Sequence, residues 1–150
     1  MTRYQCYARL DRVLTEYYAA TFSTAHVLDR LSRGETGILP RPASFSPRDI
    51  RTCSQNLEIT YLLRLFGAFE GILRDYWAAQ RKKVTRVMAE TLVACAGAKT
   101  GASQTTIDEV QEVREQRNLI VHHDHALLSI SIEECNSRLS TFVSYMPKDW

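Results

Sequence analysis

Apolar residues along the 150-residue chain recur at helical spacing, and no stretch alternates with the period of two that marks a half-buried strand. Tyr7, Leu10, Leu14, Tyr17, Tyr18, Val27, Leu28 and Leu31 place a first helix over residues 3–31, stopped by Gly34. Gly37, Pro40 and Pro42 then mark residues 34–46 as a loop. Ser46 is a good N-cap, Pro47 suits the first helical position, and Asp49 stands where a capping box wants an acid. The helix that starts there reaches Gln80 and is expected to be the longest. Ile59, Leu62, Leu63, Phe66, Phe69, Leu73, Tyr76 and Trp77 form its unbroken core stripe. Arg81-Lys82-Lys83 interrupts the pattern. A shorter helix over residues 84–96 follows, then a loop over 97–103 that contains Gly97 and Gly101. Thr106 with Glu109 forms a second capping box, opening a helix through Val121, and Ser131 with Glu134 starts a last helix that ends near Tyr145, before Pro147. The pattern predicts an all-α antiparallel bundle of four main helices plus one short helix, a single domain over residues 1–150.

Composition narrows the functional classes. Hydrophobic residues make up 45% of the chain and charged residues 24%, which fits a globular core. The net charge of +2 gives a weak overall field, so any nucleic-acid contact has to use a local patch rather than bulk charge. Arg81, Lys82, Lys83 and Arg86 form the densest basic cluster, readable as a solvated helix end or as an RNA-backbone contact. No apolar stretch approaches the ~18 residues of a membrane span. Met1-Thr2-Arg3-Tyr4-Gln5 lacks the apolar core of a signal peptide. The expectation is a cytoplasmic protein with no membrane partner. Cys6, Cys53, Cys95 and Cys135 are widely separated and read as reduced thiols in packing positions.

The candidate chemistry sits in one run, Arg114-Glu115-Gln116-Arg117-Asn118-Leu119-Ile120-Val121-His122-His123-Asp124-His125. A long cation set toward a core is expensive unless it meets an anion or a hydrogen-bond partner, and a phosphate is one such anion. At about 100° per residue, Arg114, Asn118 and His122 stack along one helical stripe, whereas Arg117 lies roughly 140° from His122. Either the helix loosens near Val121 and lets His122 swing toward Arg117, or a second copy of the chain completes the pocket. The run from His122 to His125 also raises a metal reading, with Cys95 and Cys135 as thiolate donors, but side chains that adjacent diverge and seldom share one ion. No metal or cofactor is therefore expected. Glu70 either pairs with Arg64 or Arg74 or orients Arg117 or His122.

Arg117-Asn118-Leu119-Ile120-Val121-His122 resembles the Arg-x(4–6)-His signature of the HEPN superfamily of α-bundles. Phe66-Gly67-Ala68-Phe69-Glu70 looks like the aromatic, acid-containing stretch of the long helix that precedes that motif, and the resemblance spans residues 46–145. It implies a metal-independent endoribonuclease that acts on RNA as a homodimer. Such a protein is often a toxin partnered by an antitoxin, or part of an anti-phage defence complex. Residue by residue, Arg117 matches the family arginine, Asn118 the polar residue after it and His122 the histidine. Glu70, Arg114 and Arg64 lie outside the strict motif, as supporting candidates. Asp124 stands where some members carry a tyrosine modified by a partner nucleotidyltransferase, so that form of regulation is not implied. The alternative reading is a non-catalytic interaction or nucleotide-binding module on the same helical scaffold.

Overall fold

The computed structural model describes residues 1–35, 37–39, 45–81, 87–122 and 128–150. Five helices follow one another: α1 (Arg3–Ser32), α2 (Pro47–Arg81), α3 (Ala89–Thr100), α4 (Gln104–His122) and α5 (Ile132–Tyr145). Local chemistry accounts for most of their ends. Thr2 and Gln5 make a reciprocal capping box at the start of α1. At α2 the Asp49 carboxylate accepts from the Ser46 N–H at 2.7 Å, which holds the Asp49 carboxyl below its ordinary range. Ser131 Oγ accepts from the Glu134 N–H at 3.2 Å and opens α5 as its spacing predicts.

The short helix departs from expectation. It starts at Ala89, after an extended Met88, and runs through Gly97 to Thr100, where Gly101 at φ +74° ends it. The predicted start, over 84–86, lies outside the described residues. Gly97 is not a breaker. It is buried against α4 and α5, and a Cβ there would meet Ile107 Cδ1 and Cγ1 at 2.7 Å and Phe142 Cε2 at 3.3 Å. Its missing side chain is what lets α3 approach so closely. α4 likewise begins earlier than predicted, because Ser103 rather than Thr106 is the cap. Ser103 Oγ accepts from the Thr106 N–H at 3.1 Å.

All five helices contribute to one apolar core. Leu65, Phe66, Phe69, Ile72 and Leu73 of α2 meet Leu92 and Ala96 of α3, Val110 and Val113 of α4, and Leu139 and Phe142 of α5. Phe69 and Phe142 pack edge to face with ring centroids 5.5 Å apart. Of α1, only Cys6, Leu10 and Val13 are buried. Arg138 of α5 bridges Glu112 of α4 at 2.5 Å and Glu134 of its own helix at 2.6 Å. The two ends of the chain meet: the Arg3 N–H donates to Lys148 O at 2.9 Å, and the Trp150 ring stands edge-on to Tyr76 at 5.4 Å. No described helix is long and apolar enough to cross a membrane.

Helix length sets the shape of the bundle. α1 has 30 residues and α2 35, against 14 for α5. At 1.5 Å per residue, α1 is about 45 Å long and α5 about 21 Å. The antiparallel α1–α2 pair therefore overhangs the bundle. Its base is fastened where the Tyr18 hydroxyl donates to Glu133 at 3.1 Å, and where the Ile132 N–H donates to Glu58 at 3.2 Å. Beyond that level α1 has no buried residue, and α2 buries only Leu57 before Leu62.

All four cysteines are free thiols. Burial pushes the Cys6 and Cys135 thiols up to about 11, so both stay protonated and unreactive at neutral pH. Thiol labelling of the native protein is expected to modify exposed Cys53 first and to reach Cys6 and Cys135 only after denaturation. Rapid native labelling of Cys135 would contradict this packing. Gly97→Val should lower stability by about 1–3 kcal/mol, the usual range for overpacking, in a denaturant titration.

Candidate functional site

Antiparallel packing brings the end of α4 to the end of the bundle from which the α1–α2 arm projects. Gln116, buried in α4, sets the register. Its side-chain oxygen accepts from the Ser129 N–H at 3.2 Å and from the Ser129 hydroxyl at 2.5 Å, just before α5 begins. The chain thus leaves α4 at His122 and is held again three residues ahead of Ile132. A buried amide at this position escaped the sequence reading, although a glutamine among core-spaced Val110, Val113 and Ile120 is the visible signal.

α4 stays regular through His122, so it does not loosen near Val121. The pairing of Arg117 with His122 across about 140° of a regular helix is therefore indirect. Arg117 Nη1 donates to Asn118 Oδ1 at 2.8 Å. Asn118 in turn lines an open crevice of about 340 Å³ together with Glu115, Leu119 and His122. These four stand at i, i+3, i+4 and i+7, one face of the helix. The structure thus gathers Asn118 and His122 and attaches Arg117 through Asn118. Glu115 and Leu119 were legible from the same spacing and went unremarked.

Of the supporting candidates, Arg64 and Glu70 are engaged elsewhere, and Arg114 borders the site through Glu115. Arg114 leaves the stripe it shares in sequence with Asn118. Its Nε donates to Gln111 at 2.6 Å, and its guanidinium lies 3.6 Å from Glu115, which lines the crevice, and 3.8 Å from Glu90 of α3, with 15% of the side chain exposed. Gln111 also donates to the Glu90 backbone oxygen at 3.0 Å, so this group stitches α3 to α4. Arg64 forms an ion pair with Glu16 of α1 and covers the Tyr61 ring at 4.7 Å, at the base of the arm. Glu70 takes the helix-pair arrangement: it binds Arg74, four residues on, at 2.5 Å, and Arg74 also donates to Val87 O at 3.1 Å. Of the basic cluster, Arg81 stacks over Trp77 at 4.4 Å, whereas Lys82, Lys83 and Arg86 lie outside the described residues. His123, Asp124 and His125 lie outside them as well. Among the described residues no three His, Cys, Asp or Glu side chains converge as a metal site does, and the Cys135 thiol is sealed in the core.

No family model matches the chain, and neither the curated proteins nor the solved structures contain a match to it.

Gln116→Ala leaves the Ser129 N–H and hydroxyl without their acceptor, a loss of about 1–3 kcal/mol for a buried polar group. Amide hydrogen exchange should accelerate at Ser129 while the amides of Val110 and Leu139 keep their protection. Unchanged exchange at Ser129 would show that Gln116 does not hold this segment.

Proposed function

We propose that this chain is a metal-independent endoribonuclease of the HEPN type, acting as a homodimer, with Arg117, Asn118 and His122 as its working residues. The observation that carries this reading is the Arg117–Asn118 hydrogen bond beside the crevice that Asn118 shares with His122. It links a guanidinium, an amide and an imidazole on an accessible face, and that set suits a ribose–phosphate linkage.

The chemistry needs nothing beyond these groups. The ribose 2′-hydroxyl attacks the adjacent phosphorus, a base takes its proton, and an acid protonates the departing 5′-oxygen. The products are a 2′,3′-cyclic phosphate and a 5′-hydroxyl. An imidazole suits either proton transfer, a contribution of about 10²–10⁴-fold. The guanidinium stabilises the charge that builds on the phosphoryl oxygens, worth about 3 kcal/mol for one well-placed donor. With Oδ1 of Asn118 engaged by Arg117, its amide nitrogen is the group left to meet a phosphate oxygen. One histidine per chain serves one proton transfer at a time, so two copies related by a two-fold supply base and acid together. Dependence on the 2′-hydroxyl makes DNA a non-substrate. A cellular role as a toxin held by an antitoxin, or as an anti-phage component, accords with such an activity.

A second reading has its own support. Leu119, which lines the crevice, and Val121 are both half exposed at this end of α4, as expected of an end that docks a protein. On that reading the chain is a non-catalytic interaction module.

Incubation with RNA in excess EDTA separates the two. The nuclease reading predicts fragments ending in 2′,3′-cyclic phosphate, with rates falling at least ~10²-fold in Arg117→Ala and in His122→Ala while helicity is kept. Cleavage that persists in both variants rejects these residues as the site. Intact RNA with every form of the protein rejects the nuclease reading and leaves the docking one.

A further inference from the structure

The overhanging part of α1 has an unusual surface. Residues 17–28 contain no Asp, Glu, Lys or Arg, although this half of the helix buries none of its side chains. An exposed helix face normally carries charge to stay solvated. Here Asp11, Thr15, Tyr18, Phe22, Ala25, Asp29 and Ser32 are all exposed and fall at alternating spacings of four and three. That is the spacing of a two-helix seam over about three heptads, with its apolar positions, Tyr18, Phe22 and Ala25, confined to the middle. Phe22 at its middle is 76% exposed and Tyr18 48%. The Phe22 ring stacks on His26 within 8° of parallel at 6.4 Å. Among the described helices α1 packs against α2 and α5 alone; the Tyr18 hydroxyl reaches Glu133 of α5, and beyond it Phe22 and Ala25 are left exposed.

We infer that this face of α1 pairs antiparallel with the same face of a second copy, with Phe22 on the two-fold axis. The uncharged middle and one charge pair favour that occupant and register, with Arg33, the cap of α1, exchanging its own Asp29 for Asp11 of the second copy. Setting Phe22 opposite Phe22 of the second copy places Asp11 opposite the other Arg33 at both ends of the seam. It also sets Tyr18 opposite His26 and Ala19 opposite Ala25. The uncharged middle then meets itself, and the small side chains there let the backbones approach. From Asp11 to Arg33 the seam is about 33 Å long. The tip of each arm reaches the other copy's α1 within its bundle, which adds area that an isolated helix pair lacks. A lipid surface is the poorer fit, since such a helix carries basic residues along its polar edge, whereas α1 has no lysine and its flanks mix both signs.

The pairing has a consequence for the proposed site. The arms project from the bundle ends that carry His122. Antiparallel arms therefore turn those ends toward each other, with the Tyr18 levels of the two copies eight residues, or about 12 Å, apart along the helix axis. The inference rests on the dimer of the preceding section only in this respect. Oligomeric state and RNA cleavage are read separately, so each can fail without the other.

Light scattering of the purified chain at micromolar concentration tests it. Wild type is expected at twice its 17.2 kDa mass. Phe22→Glu and Phe22→Lys should each be monomeric with unchanged helicity, because each places like charges across the two-fold. An equal mixture of the two should return to the dimer mass, as glutamate meets lysine. A monomeric wild type, or a Phe22→Glu protein that stays dimeric, overturns the pairing. Variants that are monomeric alone and remain so when mixed overturn the placement of Phe22 on the axis.

Discussion

The packing of Phe69 against Phe142, where α2 crosses α5, is the contact on which the architecture rests. Both rings are fully buried, and α2 and α5 are the helices that touch every other helix. Among the described helices α1 packs against these two alone. α3 can come close because Gly97 offers no side chain at the point where Phe142 and Ile107 meet it. Once this crossing is set, the direction of α4 follows from its short connection to α5, and the Arg138 bridges fix their register.

From that constraint comes a mismatch in length. A 14-residue helix defines how tall the common core can be, while α1 and α2 are each more than twice as long. Among the described residues the surplus of α1 is not buried, and it leaves the bundle as an arm. The same mismatch leaves an accessible helix end carrying Asn118 and His122 and, on the arm, a stretch of α1 over residues 17–28 without Asp, Glu, Lys or Arg.

Much of the fold was legible because the strongest local signals are also the ones the structure uses. The Ser46–Asp49 and Ser131–Glu134 starts and the apolar stripe of α2 follow from spacing alone. The short helix was misplaced because Gly97 was read for its conformational freedom, when its role is close approach to Ile107. The start of α4 was assigned to Thr106 because two hydroxyl residues compete there, and Ser103 is the one whose oxygen reaches the free N–H. The site was legible in part. Helical geometry foresaw that Asn118 and His122 share a face and that Arg117 does not. It could not foresee that Asn118 bridges the gap, since a bond between adjacent side chains depends on rotamers rather than on periodicity. Arg114, Arg64 and Glu70 show the limit of reading charges without partners, for each finds its counter-charge in the helix packing.

The central claim is that a guanidinium, an amide and an imidazole at the end of α4 bind one ribose–phosphate linkage between them. Its most direct test is nuclear magnetic resonance of the uncleaved complex, using a 2′-O-methyl RNA oligonucleotide that lacks the attacking hydroxyl. The account predicts perturbation of the Arg117 guanidinium, the Asn118 side-chain amide and the His122 ring at a common oligonucleotide concentration, with the α3 amides undisturbed. Saturable binding that shifts none of those three signals would contradict it.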